Sequence, residues 1–467
     1  MGGADAVTAL RRLAPSGEVF AGELALSYAE DATPGMGGRA PLAIVRPGFR
    51  EEVSAVLSFC NREGIGVIPR GAGTNLSGGV VATEDQVVLA MNGLARLVEI
   101  DEANLTATVE PGLVTAALHK AVEARGLFYP PDPGSMAVST LGGNVAEGAG
   151  GLRGLKYGVT RDYILGLQVA LADGQVVRLG GKTVKNVSGY DLLRLLVGSE
   201  GTLGVVTEII VRLVPAPEAR QAMLAVFATV DAAAAAVARV IAEKVVPATL
   251  ELLDDVTIRA VEEYSHCGLP AAAAAVLLAE VDGMPEAVAR EGERVKAAFR
   301  AEGAREVRVA NDAGERDQIW TARRTAVSAL ARVRPTIMLE DATVPRSRVP
   351  EMVRAVGGIA RRHRLAIGTF GHAGDGNLHP TILTDRRDLE EMKRAEAAVG
   401  EIFGVALELG GTLSGEHGIG LAKRPYMRAQ FGEAGIEVHR RVKGALDPRG
   451  ILNPGKVIPP RSLVSQR

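Results

Sequence analysis

Three of the seven histidines fall in two short glycine-rich motifs, and their spacing carries the clearest chemistry in the chain. The first motif, GTFGHAGDGNLHPTIL, spans residues 368–383 and holds His372 and His379. On one straight strand their odd interval would send the two side chains to opposite faces. The AGDGN stretch at 373–377 reads as a tight turn, which instead places them on neighbouring strands, where cross-strand side chains approach within about 5 Å. The second motif, GGTLSGEHGIG at 410–420, flanks Glu416 and His417 with glycines and leaves room around an acid and a base. Two imidazoles and one carboxylate form a recurrent catalytic metal set with positions left open for a substrate. His372, His379 and Glu416 are the candidate ligands, and His417 is left as a general base.

The remaining chemistry lies in glycine clusters. The chain has 56 glycines among 467 residues, well above the ~7% of ordinary proteins. PRGAGTNLSGG (69–79) follows a short strand, and its small residues let backbone N–H groups converge on a phosphate or pyrophosphate. It is not a dinucleotide-binding fingerprint of the Rossmann kind, because Leu76 occupies the third glycine position. GGKT (180–183) is not a P-loop, because Val176 replaces the leading glycine. Two more small-residue loops are TLGGNVAEGAGGLRGLKYG (140–158) and GSEGTLG (198–204). A ligand threaded between several such loops is long, and a dinucleotide fits.

The elements that position these loops alternate in type. Residues 1–40 read as helix, then loop; 41–48 as a strand; 50–64 as an amphipathic helix with Val53, Val56, Leu57 and Cys60 on one face; 66–69 as a strand; 86–112 as two or three strands; 113–126 as a helix. A β-hairpin is expected over 162–181, with Asp173 and Gly174 at its turn. The run VPAP (214–217) reads as a linker. Beyond it, strands and Ala-rich helices alternate in a ferredoxin-like α+β pattern. The expected division is 1–215 for a dinucleotide-binding domain with its core from about 40, 216–445 for a substrate-binding cap, and 446–467 for a C-terminal segment that returns to the first domain.

Composition narrows the function. Hydrophobic residues are 47% and charged residues 23%, which excludes a largely disordered chain. Fifty-three basic against 55 acidic residues leave no bulk charge for nucleic acid or an anionic membrane. Two cysteines, Cys60 and Cys267, cannot build a disulfide framework or ligate an iron–sulfur cluster. No signal-peptide run and no stretch of 18 apolar residues occurs, so a cytoplasmic protein without a membrane span is expected, with any membrane association made through a partner.

These motifs, taken in order from about residue 40 to 460, resemble two levels of one family. The glycine loops resemble the flavin domain of the vanillyl-alcohol oxidase and p-cresol methylhydroxylase superfamily. GHAGDGNLH, SGEHGIG and LNPGK (452–456) resemble the FAD-linked 2-hydroxy-acid dehydrogenases: D-lactate dehydrogenase, D-2-hydroxyglutarate dehydrogenase and the large flavin subunit of glycolate oxidase. The resemblance implies a two-domain α+β flavoprotein, with a loop-type, non-Rossmann FAD-binding domain and a ferredoxin-like substrate domain. It implies that Arg70, Gly71, Ala72, Gly73, Thr74 and Asn75 wrap the pyrophosphate. Around the rest of the cofactor it places Pro131, Asp132, Pro133, Ser139, Thr140, Gly142, Gly143, Asn144, Gly150, Tyr157, Gly204, Val206 and Asn453. Some members link flavin covalently through a His where Thr74 stands here, so FAD is expected to be non-covalent.

The same resemblance assigns a divalent metal, Zn²⁺ with Fe²⁺ or Mn²⁺ as alternatives, to His372, His379 and Glu416, and the base to His417. IWTARR (319–324) resembles the family's W-x-x-R segment, so Arg323 would grip a substrate carboxylate in a bidentate fork, with Arg324 and Arg332 competing for the role. Trp320 is read as packing. Thr381 stands where members acting on the larger diacid often have Asn. The expected activity is oxidation of a small D-2-hydroxy acid, D-lactate or glycolate, to the 2-keto acid. Electrons would pass to a non-oxygen acceptor, a partner protein or iron–sulfur subunit; a homodimer is compatible with the sequence. The alternatives are D-2-hydroxyglutarate oxidation, a non-catalytic flavin electron-transfer subunit, and a flavin lyase or synthase without net redox change.

Overall fold

The computed structural model describes residues 2–461; Met1 and residues 462–467, the end of the expected C-terminal segment, lie outside it. Two compact units emerge. Among the described residues, one comprises 2–149, Val159–Pro215 and 416–461, and the other Gly150–Gly158 and Ala216–Gly415. The middle stretch of the first unit ends at Pro215. Two boundaries differ from expectation: the chain returns to the first unit at Glu416 rather than at 446, and Gly150–Gly158 belongs with the second unit. Within that unit, Lys156 Nζ lies 2.5 Å from the buried Asp282 carboxylate, and Tyr157 donates its hydroxyl to the same group at 2.8 Å.

Among the described residues the first unit carries two larger sheets and a two-stranded pair, Leu127–Phe128 with Val214–Pro215. In one, Ala43–Arg46, Gln86–Ala90 and Gly66–Arg70 run parallel side by side, with Glu18–Phe20 antiparallel at the edge. Parallel neighbours require a crossover, and the helix Arg50–Glu63 supplies one. It buries Val53, Val56, Leu57 and Cys60 as the helical spacing predicts, and stops at Gly64 in the left-handed region. The other sheet is antiparallel, in the order Leu97–Asp101, Thr106–Val109, Val205–Arg212, Ile164–Ala170, Val176–Gly180. Its last two strands are the expected hairpin, turning at Gly174 with φ +87°. The helix expected at 113–126 is shorter, Thr115–Glu123.

The second unit is built on one large antiparallel sheet. Glu306–Val309, Ala219–Phe227, Ala275–Gly283 and Thr249–Asp254 lie in that spatial order. Numbered along the chain this is 4-1-3-2, the order of the ferredoxin-like βαββαβ unit. The helices Val230–Ala242 and Pro285–Ala301 come after the first and third of these strands. The sheet then continues beyond the four-stranded motif through Ala366–His372, Asn377–Thr384 and Thr336–Leu339. These added strands carry the histidine motif. Apolar side chains including Leu253, Ile258, Leu278, Trp320, Leu330 and Phe370 form the core on one side.

Candidate active site

The histidine hairpin forms as its spacing predicts. Ala366–His372 and Asn377–Thr384 pair antiparallel, with Phe370 opposite His379 and His372 opposite Asn377. Residues opposite and two apart share a face, so Phe370, His372, Asn377 and His379 all point to the same side. The chain turns through backbone bonds from Asp375 and Gly376 to the His372 carbonyl. Gly371 permits the close approach: its φ is +152°, and a Cβ there would lie 2.6 Å from the Asn377 carbonyl oxygen. The two imidazoles meet edge to face with centroids 5.2 Å apart, and both are buried.

Behind each imidazole stands a buried carboxylate that the motifs do not contain. The register Leu252 to Gly371 and Leu253 to Phe370 continues one step to bring Glu251 opposite His372. Glu251 is fully buried. Its Oε1 is 2.7 Å from His372 Nδ1, and its Oε2 accepts from Arg323 Nε at 2.6 Å. Burial pushes the Glu251 carboxyl up, but His372 and Arg323 outweigh it and hold the group below the usual carboxylate range. Asp341, also fully buried, lies 4.0 Å from His379 Nδ1. It accepts from Asn377 Nδ2, Ser414 Oγ and the Gly415 amide at 2.5, 2.6 and 2.8 Å.

Arg323 sits in this cluster with its guanidinium 4.7 Å from the Phe370 ring centroid. Its competitors do not: Arg324 is exposed beside Asp317, and Arg332 lies over Tyr264. Arg323, expected to grip a substrate carboxylate in a bidentate fork, has its Nε committed to Glu251. Trp320 is packed in the core and donates to Glu280 at 2.9 Å. Thr381 is fully buried, with its hydroxyl donating to the His379 carbonyl at 3.3 Å.

Glu416 and His417 open the segment that belongs to the first unit. His417 Nε2 lies 3.9 Å from Glu416 Oε1. The residues after His417 are fastened inside that unit. The Ile419 and Gly420 amides donate to the two Glu200 oxygens at 2.7 Å each, and Leu421 and Ala422 donate to the Ser77 carbonyl. Glu200 stands in the GSEGTLG loop and Ser77 in the first glycine loop. Burial, with the neighbouring Glu200 and Asp31 charges, drives the Glu147 carboxyl well above its ordinary range. Burial also raises Glu200, against the pull of the two amides and of Lys423 and Lys456.

The glycine loops of the first unit come together. A Cβ at Gly71 would sit 2.3 Å from Thr140 Oγ1, so the first loop abuts the start of the second. Thr140 caps the helix Leu141–Glu147 by accepting from the Gly143 amide. Asn144 is pinned by its side chain to Thr115 Oγ1, and the Thr115 amide donates to the Ser139 carbonyl. Pro131 offers its carbonyl to His119, and Asp132 is buried. Gly204 leads into the strand carrying Val206, which pairs with Val169. Asn453 donates to the Gly79 and Glu200 carbonyls at 2.9 and 2.7 Å, tying the LNPGK turn to both loops. Arg70 donates to the Glu30 carbonyl and packs over Tyr28, and Asn75 donates to Asp31. Gly150 and Tyr157 fall in the second unit.

Both implied groups fit the residues present. The amides of residues 71–75 make no hydrogen bond to another described residue, and a run of free amides in a small-residue turn is an anion nest. A ring nitrogen of His372 lies within 4.8 Å of one on His379, and buried imidazoles backed by carboxylates are a donor set for a divalent cation. Among the described residues no helix is long and apolar enough to cross a membrane.

Comparison with known proteins agrees with this architecture. Residues 41–180 match the family described as "FAD binding domain", and 216–457 match "FAD linked oxidases, C-terminal domain". The chain is 52% identical over 437 residues to the glycolate oxidase subunit GlcD of Bacillus subtilis (strain 168), covering 94% of this chain and 92% of that one. It is 37% identical over 419 residues to the D-lactate dehydrogenase of Archaeoglobus fulgidus, covering 89% and 91%. The structure of p-cresol methylhydroxylase with substrate bound superposes with a TM-score of 0.81 at 18% identity, covering 98% of this chain and 96% of that one. The chain therefore belongs to the FAD-linked oxidases of the glycolate oxidase subunit and D-lactate dehydrogenase type, and it is an FAD-dependent oxidoreductase with the fold of the p-cresol methylhydroxylase superfamily.

Proposed function

We propose that this protein oxidises a small 2-hydroxy acid, glycolate or D-lactate, to the 2-keto acid and hands the electrons to a partner protein rather than to oxygen. The observation that carries this reading is the His372–Glu251–Arg323 cluster: a metal-type imidazole and a guanidinium held by the two oxygens of one buried carboxylate. The relatives supply the substrate class, since they are named for glycolate and D-lactate. One of them is named as a subunit, which supports a protein acceptor.

Each residue has a role in this reading. With Nε engaged by Glu251, Arg323 keeps its Nη donors for the substrate carboxylate. His417 takes the hydroxyl proton on a ring nitrogen as the general base. His372, His379 and Glu416 would hold a divalent cation, which would supply Lewis-acid chemistry at the site. The loops at 70–75, 139–144 and 200–206, with Asn453, would hold FAD non-covalently, and the bound flavin would supply the two-electron acceptor chemistry. Thr381 spends its hydroxyl on the backbone, so it offers nothing to a second carboxylate, which favours a monoacid.

The test is anaerobic mixing of the FAD-loaded protein with a panel of D- and L-2-hydroxy acids. Glycolate or D-lactate should bleach the bound flavin, and L-lactate should do so far more slowly. Bleaching by D-2-hydroxyglutarate alone, or by none of the panel, would reject the reading.

A further inference from the structure

Glu251 stands on the strand Thr249–Asp254, 121 residues away in sequence from His372. It belongs to no motif, and its flanking residues Leu250, Leu252 and Leu253 are core. A carboxylate there is costly to bury unless both oxygens are paired. They are, one to each of two different functional groups: His372 Nδ1 at 2.7 Å and Arg323 Nε at 2.6 Å. The guanidinium is always charged and can only donate, and an ionised carboxylate can only accept. An ionised Glu251 can bond His372 only if the imidazole carries a proton on Nδ1.

We infer that Glu251 is a positioning residue that fixes His372 in the Nδ1–H tautomer, leaving Nε2 bare as a metal donor, while the same carboxylate aims the Nη edge of Arg323 at the substrate carboxylate. This rests on the proposed metal role of His372 and adds to it a single group that sets both the cation's ligand and the anion's anchor. General chemistry favours the arrangement, because a carboxylate behind a ligating imidazole fixes its ring and raises its basicity. Asp341 occupies the corresponding place behind His379 at 4.0 Å, longer than a hydrogen bond, so the tight coupling is on the His372 side.

Glu251→Gln tests this with little change of shape. The amide offers one acceptor and one donor where His372 and Arg323 both donate, so one contact must break. Divalent-cation affinity is measured by titrating Zn²⁺ into the FAD-loaded, metal-stripped full chain. Glu251→Gln should bind 10- to 100-fold more weakly than wild type, the usual loss for such outer partners, with FAD content unchanged. Glu251→Asp keeps two acceptors on a shorter arm and should recover part of the loss. In metal-free wild type, long-range ¹H–¹⁵N spectra should show His372 protonated at Nδ1. A His372 protonated at Nε2 overturns the inference whatever the variants do, and this measurement needs no variant to fold. Wild-type affinity in Glu251→Gln likewise overturns the role of Glu251 while leaving the metal reading intact. A wild-type protein that binds no divalent cation removes the metal reading and this inference together.

Discussion

The two units solve the same problem, holding a functional group still, with different materials. In the first, the candidate cofactor loops are irregular backbone. They are tied by main-chain amides and carbonyls to a few side chains: Glu200 holds Ile419 and Gly420, and Asn453 holds Gly79 and Glu200. In the second, His372 and His379 stand on neighbouring strands of one sheet and Arg323 on the helix Ala313–Arg324, and the buried Glu251 clamps His372 and Arg323 together. Loops can wrap a long ligand by presenting many weak donors. A site that must set a tautomer needs rigid elements and specific partners behind it. The first unit should therefore tolerate side-chain changes that spare its backbone, and the second should lose chemistry when a single side chain is cut.

Damaging one unit and reading the other tests this contrast most severely. His372→Ala or His379→Ala should lower turnover by several orders of magnitude through loss of Lewis-acid assistance, while the flavin spectrum and its stoichiometry stay as in wild type. Loss of flavin from either variant would show that the units are not independent in this respect. Next in size, His417→Ala should lose about 10²- to 10⁴-fold in turnover, the usual worth of a general base, and keep its metal and FAD. Glu416→Ala should lose metal as well as rate. Metal analysis and flavin-reduction rates on both variants decide, and the reverse pattern would exchange the two roles. The backbone character of the first unit predicts that acid precipitation releases all flavin to the supernatant, since Thr74 offers no linking imidazole; colour left in the pellet contradicts it.

The smallest expected effect concerns stability. Asp254 caps the helix Asp255–Ser265 and accepts from the Thr369 amide, yet burial raises its carboxyl to about 6. The folded state thus holds this proton more tightly than the unfolded chain, whose value is near 3.9. Stability from this group is present below about pH 4 and is lost as pH rises through about 6, on the order of 2–3 kcal/mol in all. Asp254→Asn should flatten the pH dependence of denaturant unfolding between pH 4 and pH 7 relative to wild type. Parallel curves for the two proteins would show that Asp254 does not titrate in that window.

The parts legible in the sequence are those with local causes. The His372–His379 hairpin comes from an odd spacing, a glycine-rich turn and β-alternation, all within one motif. The ferredoxin-like order comes from the alternation of elements after Pro217. Glu251 is not legible as a partner, because its contact is set by sheet register across 121 residues; its one local signal is a charge inside the apolar run LELLD. Glu200 carries a similar signal, an acid between glycines, but not the identity of the amides it binds. The excursion of Gly150–Gly158 into the second unit depends on Lys156 and Tyr157 meeting Asp282, a pairing that no periodicity announces. The return at Glu416 splits the SGEHGIG motif between units, and a linear pattern cannot show where compactness divides.

Oxidation of a small hydroxy acid by a metal-assisted flavoprotein is tested most directly by the rate at which glycolate or D-lactate bleaches the bound flavin without oxygen. That rate is measured before chelation, after metal removal and after adding back a divalent cation. Fast bleaching, loss by orders of magnitude and then recovery are expected in turn, with FAD content constant throughout. Equal bleaching rates in metal-free and metal-loaded protein would contradict the metal-assisted mechanism.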